Sequence, residues 1–171
     1  NGGDSQYAFY NKELPAYVKV YVPQGAVLDS IDGISKPKYK PLIDYTALGF
    51  KPDPDIAAVE QTIVHPFDGV DVFEESGKTV FGFWMITKPR KTSETRITYH
   101  VARNILDLDA NAYSLLWQKQ SGTDGDHATF SLQIPAGKSI SRQSDGLQLL
   151  GGNVILNADL SVDREVKVVF N

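Results

Sequence analysis

The sequence predicts an all-β protein made of antiparallel β-sandwich, with two immunoglobulin-like modules related by duplication and one short helix in an insertion. Three observations predict this fold class. Short segments of alternating apolar and polar residues recur along the chain, glycine and proline separate them, and a strand followed by Pro-x-Gly occurs twice. A single merged sandwich is the alternative that this pattern leaves open.

The two Pro-x-Gly elements contain Pro23 with Gly25 and Pro135 with Gly137. Proline fixes φ and donates no hydrogen bond, so it suits the end of a strand, and a glycine two residues later suits a turn. Each element therefore predicts a strand, a tight corner and a second strand. In the first copy these strands span residues 16–22 and 26–31.

The strand at residues 16–22 follows a lead-in segment, residues 1–15, that is polar and contains glycine. Side chains alternate between the two faces of a strand. The valines at positions 18, 20 and 22 are expected to face the core. Tyr17, Lys19 and Tyr21 then lie on the opposite face, where we expect the tyrosines to be at least partly exposed.

Residues 35–77 interrupt the strand pattern with proline-spaced turns, so we interpret them as an insertion. Within it, Asp53 and Pro54 are typical of an N-cap and a first helical position. They predict the one short helix. Three apolar residues at helical spacing predict a buried stripe on it: Ile56, Val59 and Ile63.

Residues 78–86 are apolar at nearly every position, which is typical of a central strand covered on both faces. A polar turn then leads to an alternating strand at residues 92–101, and we expect these two strands to form a hairpin. Residues 103–111 are interpreted as the connection between the modules.

The second module is predicted to open with a strand at residues 113–120, paired in a hairpin with residues 128–134 around Asp124-Gly125. Further strands are expected at 138–141, 146–150, 153–160 and 165–170. Both halves thus run in the same order, with 96–101 corresponding to 165–170. The modules are predicted to span 16–106 and 107–171, and the second one carries an extra first strand.

Three segments of the sequence, residues 17–25, 77–82 and 113–122, resemble the strand-rich C-terminal part of an uncharacterised bacterial family, the domain-of-unknown-function group 4012. The resemblance covers most of the chain from about residue 16 onward. It implies a protein tethered by an N-terminal membrane segment, with this part outside the cell. It implies no catalytic residues.

Composition limits the classes of function. The net charge of −4 and the pI near 5.3 provide no basic surface for nucleic acid, and no apolar run is long enough to insert into a membrane. The chain has no cysteine, which excludes disulfides and thiolate chemistry. It opens with neither methionine nor a signal sequence, so we expect it to be a piece of a longer membrane-anchored protein, located in the cell envelope or outside the cell.

Three aromatic residues are the candidate ligand-binding residues: Tyr17, Tyr21 and Trp117. Exposed aromatic rings bury a large area on a sugar or a protein at low entropic cost. The alternative is that these rings fill the seam between the modules or the space beneath the insertion. The expected partner is a protein or a glycan at the cell surface, and the oligomeric state is left open.

Asp107, Asp109 and Asn111 have the alternating oxygen ligands with which a calcium loop begins. Ala112 replaces the glycine of an EF-hand loop and Gln118 its final carboxylate, so an Asp-rich turn is the alternative. Calcium is the one cofactor considered. A separate acidic stretch could contribute to such a site or form a solvated loop: Asp68, Asp71, Glu74 and Glu75.

No catalytic signature is present in the sequence, because His65, His100 and His127 have neither metal-ligand spacing nor a nucleophile elbow. The predicted function is therefore a non-catalytic extracellular segment of a bacterial envelope protein, serving as a stalk or as a binding module. The alternative is an accessory or catalytic domain of an envelope enzyme acting on polysaccharide. An intramolecular amide from Lys19 or Lys167 is a further hypothesis, which an intact-mass measurement would test.

Overall fold

The computed structural model describes residues 6–8, 11–37, 42–102, 111–119, 121 and 125–171. All its sheets are antiparallel, and the described residues contain one short helix, so the all-β prediction is confirmed. The chain divides into two compact units, Asn1–Leu106 and Asp107–Asn171, at the boundary between the two predicted modules.

The described residues of the first unit form five strands and the helix. These elements are β1 (Leu14–Pro23), β2 (Val27–Asp32), α1 (Pro54–Glu60), β3 (Val70–Glu75), β4 (Lys78–Thr87) and β5 (Arg96–His100). One sheet has the order β1-β4-β3 and the other pairs β2 with β5. The core cluster draws Val22, Val70 and Phe81 from the first sheet and Leu28 from the second, so the unit is sandwich-like.

Strand β4 lies at the centre of its sheet, as its continuous apolar sequence predicts. Its residues from Thr79 to Phe83 are buried on both faces. The predicted hairpin between β4 and the next strand is wrong, because β4 pairs with β1 and β3 while β5 pairs with β2. A strand that is apolar on both faces needs a neighbour on each side, and the chain supplies β1 from far away in sequence.

The helix begins as its capping sequence predicts. The Asp53 side chain accepts hydrogen bonds from the backbone N–H groups of Asp55 and Ile56, and Pro54 occupies the first turn. The predicted buried stripe is wrong, because Ile56 and Val59 are 60% and 63% exposed and no residue of α1 is buried. Local sequence sets where this helix starts, but Ile56 and Val59 on its apolar side remain exposed.

Strand β3 corrects the interpretation of residues 35–77 as an insertion outside the sheet. Its residues pair with β4 along their whole length through a two-residue turn at Ser76-Gly77. Both turn residues have positive φ, as in the type I′ turns that join tight hairpins. The part of the predicted insertion that lies outside the sheet is therefore shorter.

Six strands are formed by the part of the second unit that the structure describes. They are β6 (Ala112–Trp117), β7 (His127–Gln133), β8 (Ile140–Gln143), β9 (Gln148–Leu150), β10 (Asn153–Asp159) and β11 (Arg164–Phe170). Their sheets have the orders β7-β10-β9 and β6-β11-β8, and the core cluster includes Phe130, Val154 and Val166. The predicted hairpin of β6 with β7 is wrong, because β6 pairs with the last strand, β11.

Both units have the same strand connectivity. The sheet β1-β4-β3 corresponds to β7-β10-β9, the pair β2-β5 corresponds to β8-β11, and β6 is the additional strand of the second unit. The corners also match, since Ala26 N–H donates to Pro23 O at 3.0 Å and Lys138 N–H donates to Pro135 O at 3.1 Å. Gly25 and Gly137 have φ of 79° and 76°, as the third residue of a type II turn requires.

Candidate functional site

The outward face of the β1-β4-β3 sheet is the candidate site. We call it the tyrosine face. Its side chains point away from the core cluster because residues alternate along each strand and register partners share a face. They are Tyr17, Lys19 and Tyr21 of β1, Val80, Gly82 and Trp84 of β4, and Asp71, Phe73 and Glu75 of β3.

Tyr17 crosses the sheet at the first of two polar clusters on this face. Its ring lies over Gly82, where a Cβ atom would be 2.2 Å from the tyrosine oxygen. The hydroxyl donates to Asp71 Oδ2 at 2.5 Å, and the ring meets Trp84 edge to face at 5.3 Å between centroids. His65 Nδ1 lies 2.9 Å from Asp71 Oδ1. A glycine in the central strand thus allows the ring to reach across to β3.

Glu75 forms the second cluster on the tyrosine face. Its Oε2 atom accepts from Lys19 Nζ at 2.8 Å and from the Tyr21 hydroxyl at 2.9 Å. Lys19 Nζ also lies 5.4 Å from the centroid of the Phe73 ring. Beneath these groups Val80 is fully buried, although it lies on the outward side of the sheet. The side chains of Lys19, Tyr21 and Glu75 therefore lie over this part of the sheet.

These contacts shift the pKa values of several groups on the tyrosine face. Burial and the hydrogen bond to Asp71 raise the pKa of Tyr17 above its ordinary range. The hydrogen bond to Glu75 raises the pKa of Tyr21 and the pKa of Lys19. The same bonds, from Lys19 first and then from Tyr21, lower the pKa of Glu75. At neutral pH both tyrosines are therefore neutral donors to carboxylates on β3.

The structure brings two of the three predicted ligand-binding residues together. Tyr17 and Tyr21 share the tyrosine face and are 37% and 49% exposed. Trp117 lies in the second unit, on β6, where it packs against the core cluster and is half-buried. Its register partner is Arg164. Trp117 is thus part of the packing of its own unit. Of the three candidate residues, Tyr17 and Tyr21 are the two that share a surface.

Sequence reasoning named Asp71 and Glu75 only as part of an acidic stretch and did not connect them, Gly82 or Trp84 with the tyrosines. These contacts join residues that are distant in sequence, since Tyr17 and Asp71 are separated by 54 residues. One signal was available in the sequence. A glycine inside an otherwise apolar strand often marks the close approach of a neighbouring group.

Of the three predicted calcium ligands, the structure describes Asn111. Asp107 and Asp109 lie outside the described residues. The Asn111 side-chain oxygen accepts a hydrogen bond from Lys138 Nζ at 2.9 Å, so a cationic group already occupies this ligand position. Within the described ranges, no group of three or more His, Asp or Glu residues could hold a metal ion.

The acidic stretch near the first unit's hairpin has separate partners for each member. Asp68 pairs with Lys36 at 2.8 Å, and Glu74 accepts from Gln24 Nε2 at 3.0 Å. Asp71 and Glu75 belong to the tyrosine face. Three of the four acids lie on strand β3, which corrects their interpretation as a solvated loop.

Two open depressions also occur in the structure. One, with a volume of 540 Å³, is lined by Asn11, Lys12, Glu13, Pro15, Ile86 and Pro89. The other, with a volume of 410 Å³, lies along β8 and β11 in the second unit and contains Asp145 and Glu165 beside Arg142 and Lys167. The described lining residues of both depressions include no aromatic side chain, in contrast to the tyrosine face.

Comparison with protein families, with curated proteins and with solved structures finds no match to this chain. The resemblance to the bacterial group 4012 therefore remains a prediction. No helix within the described ranges has the length and apolar character needed to span a bilayer.

Proposed function

We propose that this chain is a non-catalytic extracellular segment of a bacterial envelope protein, built of two immunoglobulin-like modules related by duplication, and that it binds a glycan or a protein through the tyrosine face. The location outside the cell is supported by the resemblance to a membrane-tethered family. The duplication is supported by the shared connectivity of the two units and by their matching corners.

One observation carries the binding proposal. Tyr17 and Tyr21 are both partly exposed, and a carboxylate on β3 fixes each hydroxyl. A ring held in place loses little conformational freedom when a ligand packs on it, which favours binding. The aromatic groups of an ordinary solvated strand would have no such anchors.

The chemistry of the face suits a glycan. Aromatic rings bind the apolar faces of sugars, and carboxylates accept hydrogen bonds from sugar hydroxyl groups. Asp71 and Glu75 remain able to accept further bonds, because each carboxylate oxygen has more than one lone pair. A protein ligand with polar residues around an apolar centre would use the same groups.

The enzymatic alternative requires two carboxyl groups placed on either side of a glycosidic bond. Asp71 and Glu75 are four residues apart on one strand, which corresponds to about 13 Å. Glycosidases place their two carboxyl groups about 5 to 9.5 Å apart. The acids of the tyrosine face do not fit this chemistry, so a binding role is favoured there.

The test uses a glycan array and a pull-down from envelope extract, with the purified chain and a Tyr17→Ala/Tyr21→Ala double variant. We expect the wild type to bind and the double variant to lose at least about tenfold in affinity, because both rings leave the interface. Tyr45→Ala is the matched control, since Tyr45 is a similarly exposed tyrosine of the same unit that packs against Phe50.

Empty results on both the array and the pull-down would contradict the binding proposal. Surface labelling of the full-length protein with a membrane-impermeant reagent tests its location independently. Labelling without any bound ligand would leave the stalk as the remaining role, whereas no labelling would contradict the extracellular location.

A further inference from the structure

The two units differ at one edge of two corresponding sheets, β2-β5 in the first unit and β6-β11-β8 in the second. In the second unit, β11 pairs with β8 on one side and with β6 on the other. In the first unit, the corresponding strand β5 pairs with β2 alone, within the part of the chain that the structure describes. Among the described residues, no strand pairs with β5 on the edge that corresponds to the β6 side of β11, and we call this the open edge of β5.

Burial differs between these two strands in the same way. Val166 and Val168, the core-facing residues of β11, are fully buried, and their register partners on β6 are Leu115 and Tyr113. On β5 the core-facing residues are Ile97 and Tyr99. Ile97 is only half-buried, and Tyr99 is 42% exposed although its ring packs edge to face on Phe81 of the core. The core of the first unit thus reaches the surface at its open edge.

We propose that this open edge of β5 is an interaction surface that binds an extended segment of another polypeptide by β-strand addition. The added strand runs antiparallel to β5 and places apolar side chains at alternate positions beside Ile97 and Tyr99. Strand β6 shows what covers such an edge in this fold, since it carries Tyr113, Leu115 and Trp117 on the core side of its sheet. Backbone hydrogen bonds provide the affinity and the alternate side chains provide the specificity.

Charge refines the description of the partner. On its outward face β5 carries Arg96, whose side chain is largely exposed and lies 3.7 Å from Glu94, and His100, which contacts Asp29 at 2.7 Å. The Arg96 guanidinium is the more available of the two groups. An added strand with an acidic residue opposite Arg96 therefore fits this edge better than a basic one.

The experiment uses hydrogen exchange of the full chain, with and without a synthetic peptide of the β6 region, residues 111–119. We expect the peptide to slow the exchange of amides in β5 and to leave those of β11 unchanged, because β6 already covers β11. A strand of this length buries little area, so binding is expected at about micromolar peptide or weaker.

Two peptide controls leave the protein unaltered. Methylation of alternate backbone nitrogens on the side that would bond to β5 should abolish protection, whereas methylation on the opposite side should preserve it. A scrambled peptide without alternation should bind at least about tenfold more weakly.

A Tyr99→Ala variant of the protein should also lose about tenfold in affinity for the peptide through the smaller apolar contact, while Tyr45→Ala should retain the affinity.

Three results would overturn the proposal. Protection of β5 amides equal to that of β11 before any peptide is added would show that another part of this chain already covers the edge. No protection by the peptide at millimolar concentration would show that the edge does not accept a strand. Protection that depends only on protein concentration, together with dimers in sedimentation, would make a second copy the occupant.

Discussion

The two units share one strand connectivity but complete it differently. The second unit adds β6, so both of its sheets have three strands, and Val154, Val166 and Val168 are fully buried. The first unit has one two-stranded sheet, an exposed helix and the tyrosine face. The comparison shows that the additional strand gives β11 a partner on both sides, whereas among the described residues β5 has a partner on one side only. Both units nevertheless contain fully buried core residues, since Val70 and Phe81 are as buried as Val154 and Val166.

The largest effect is expected from truncating one core aromatic residue in each unit. Phe81→Ala and Phe130→Ala should each lower the free energy of unfolding of their own unit by about 3 to 5 kcal/mol, because each leaves a cavity in a buried cluster. Denaturant unfolding followed by hydrogen exchange assigns the loss to a unit. A loss of protection in both units from either variant would show that the two cores are not separate.

A smaller effect is expected from Gly82→Ala, which tests a feature found in the tyrosine face. The new methyl group would lie 2.2 Å from the Tyr17 oxygen, so the ring must leave its position over β4. We expect a loss of about 1 to 3 kcal/mol in the free energy of unfolding of the first unit. In a Tyr17→Ala background the same substitution should cost much less, and a double-mutant cycle measures the difference. Additive effects would contradict the contact.

The matching corners predict equal effects in the two units. Gly25→Ala and Gly137→Ala each place a side chain at positive φ, which costs about 1 to 2 kcal/mol. Thermal unfolding of the two variants should give similar losses, each confined to its own unit. Unequal losses would indicate that the two Pro-x-Gly corners carry different strain and would weaken the structural equivalence.

The smallest expected effect is a difference in pH dependence. Folding raises the pKa of Tyr17 and of Lys19 above their ordinary values of 10.0 and 10.5, so the first unit binds these protons more tightly when folded. This stabilisation is complete below pH 10 and is lost as the pH rises above it. We expect alkaline exchange measurements to show a loss that Tyr17→Phe reduces, since the phenol that titrates is then absent.

In the second unit the corresponding loss occurs at acidic pH. The hydrogen bonds from Ser161, together with Arg164, lower the pKa of Asp159 from 3.8 to about 2. This contribution is present above pH 3.8 and is lost as the pH falls toward 2. Ser161→Ala should reduce the acid-dependent loss. An unchanged acid profile in that variant would contradict the role of the Ser161 bonds.

Features with local causes could be predicted from the sequence. Asp53 and Pro54 fix the start of α1 through bonds within four residues, and the two Pro-x-Gly corners depend on the conformations of single residues. Features with distant causes could not. Strand β4 pairs with β1, which lies far away in the sequence: Leu14 of β1 is opposite Thr87 of β4. A hairpin with the next strand in sequence was the expectation, and distant pairing replaced it.

The candidate site also has some features that the sequence predicts from local patterns and others that depend on distant contacts. Alternation along β1 was sufficient to place Tyr17 and Tyr21 on an outward face. Asp71 and Glu75 were named only as part of an acidic stretch and were not placed beside the tyrosines, because β3 lies within a segment rich in turns whose strand pairing the sequence does not show. Trp117 was predicted to be an exposed ligand-binding residue. The alternation of residues along a strand distinguishes its two faces but does not show which face the core covers.

The tight turn between β3 and β4 has a consequence for the order in which the first unit folds. Its two residues close a hairpin between strands that are neighbours in sequence, and a hairpin of this kind forms within microseconds. Strand β1 can join only after a much longer loop closes, which is slower. We therefore expect the β3-β4 hairpin to be an early nucleus, onto which β1 docks late and brings the tyrosines to their carboxylates.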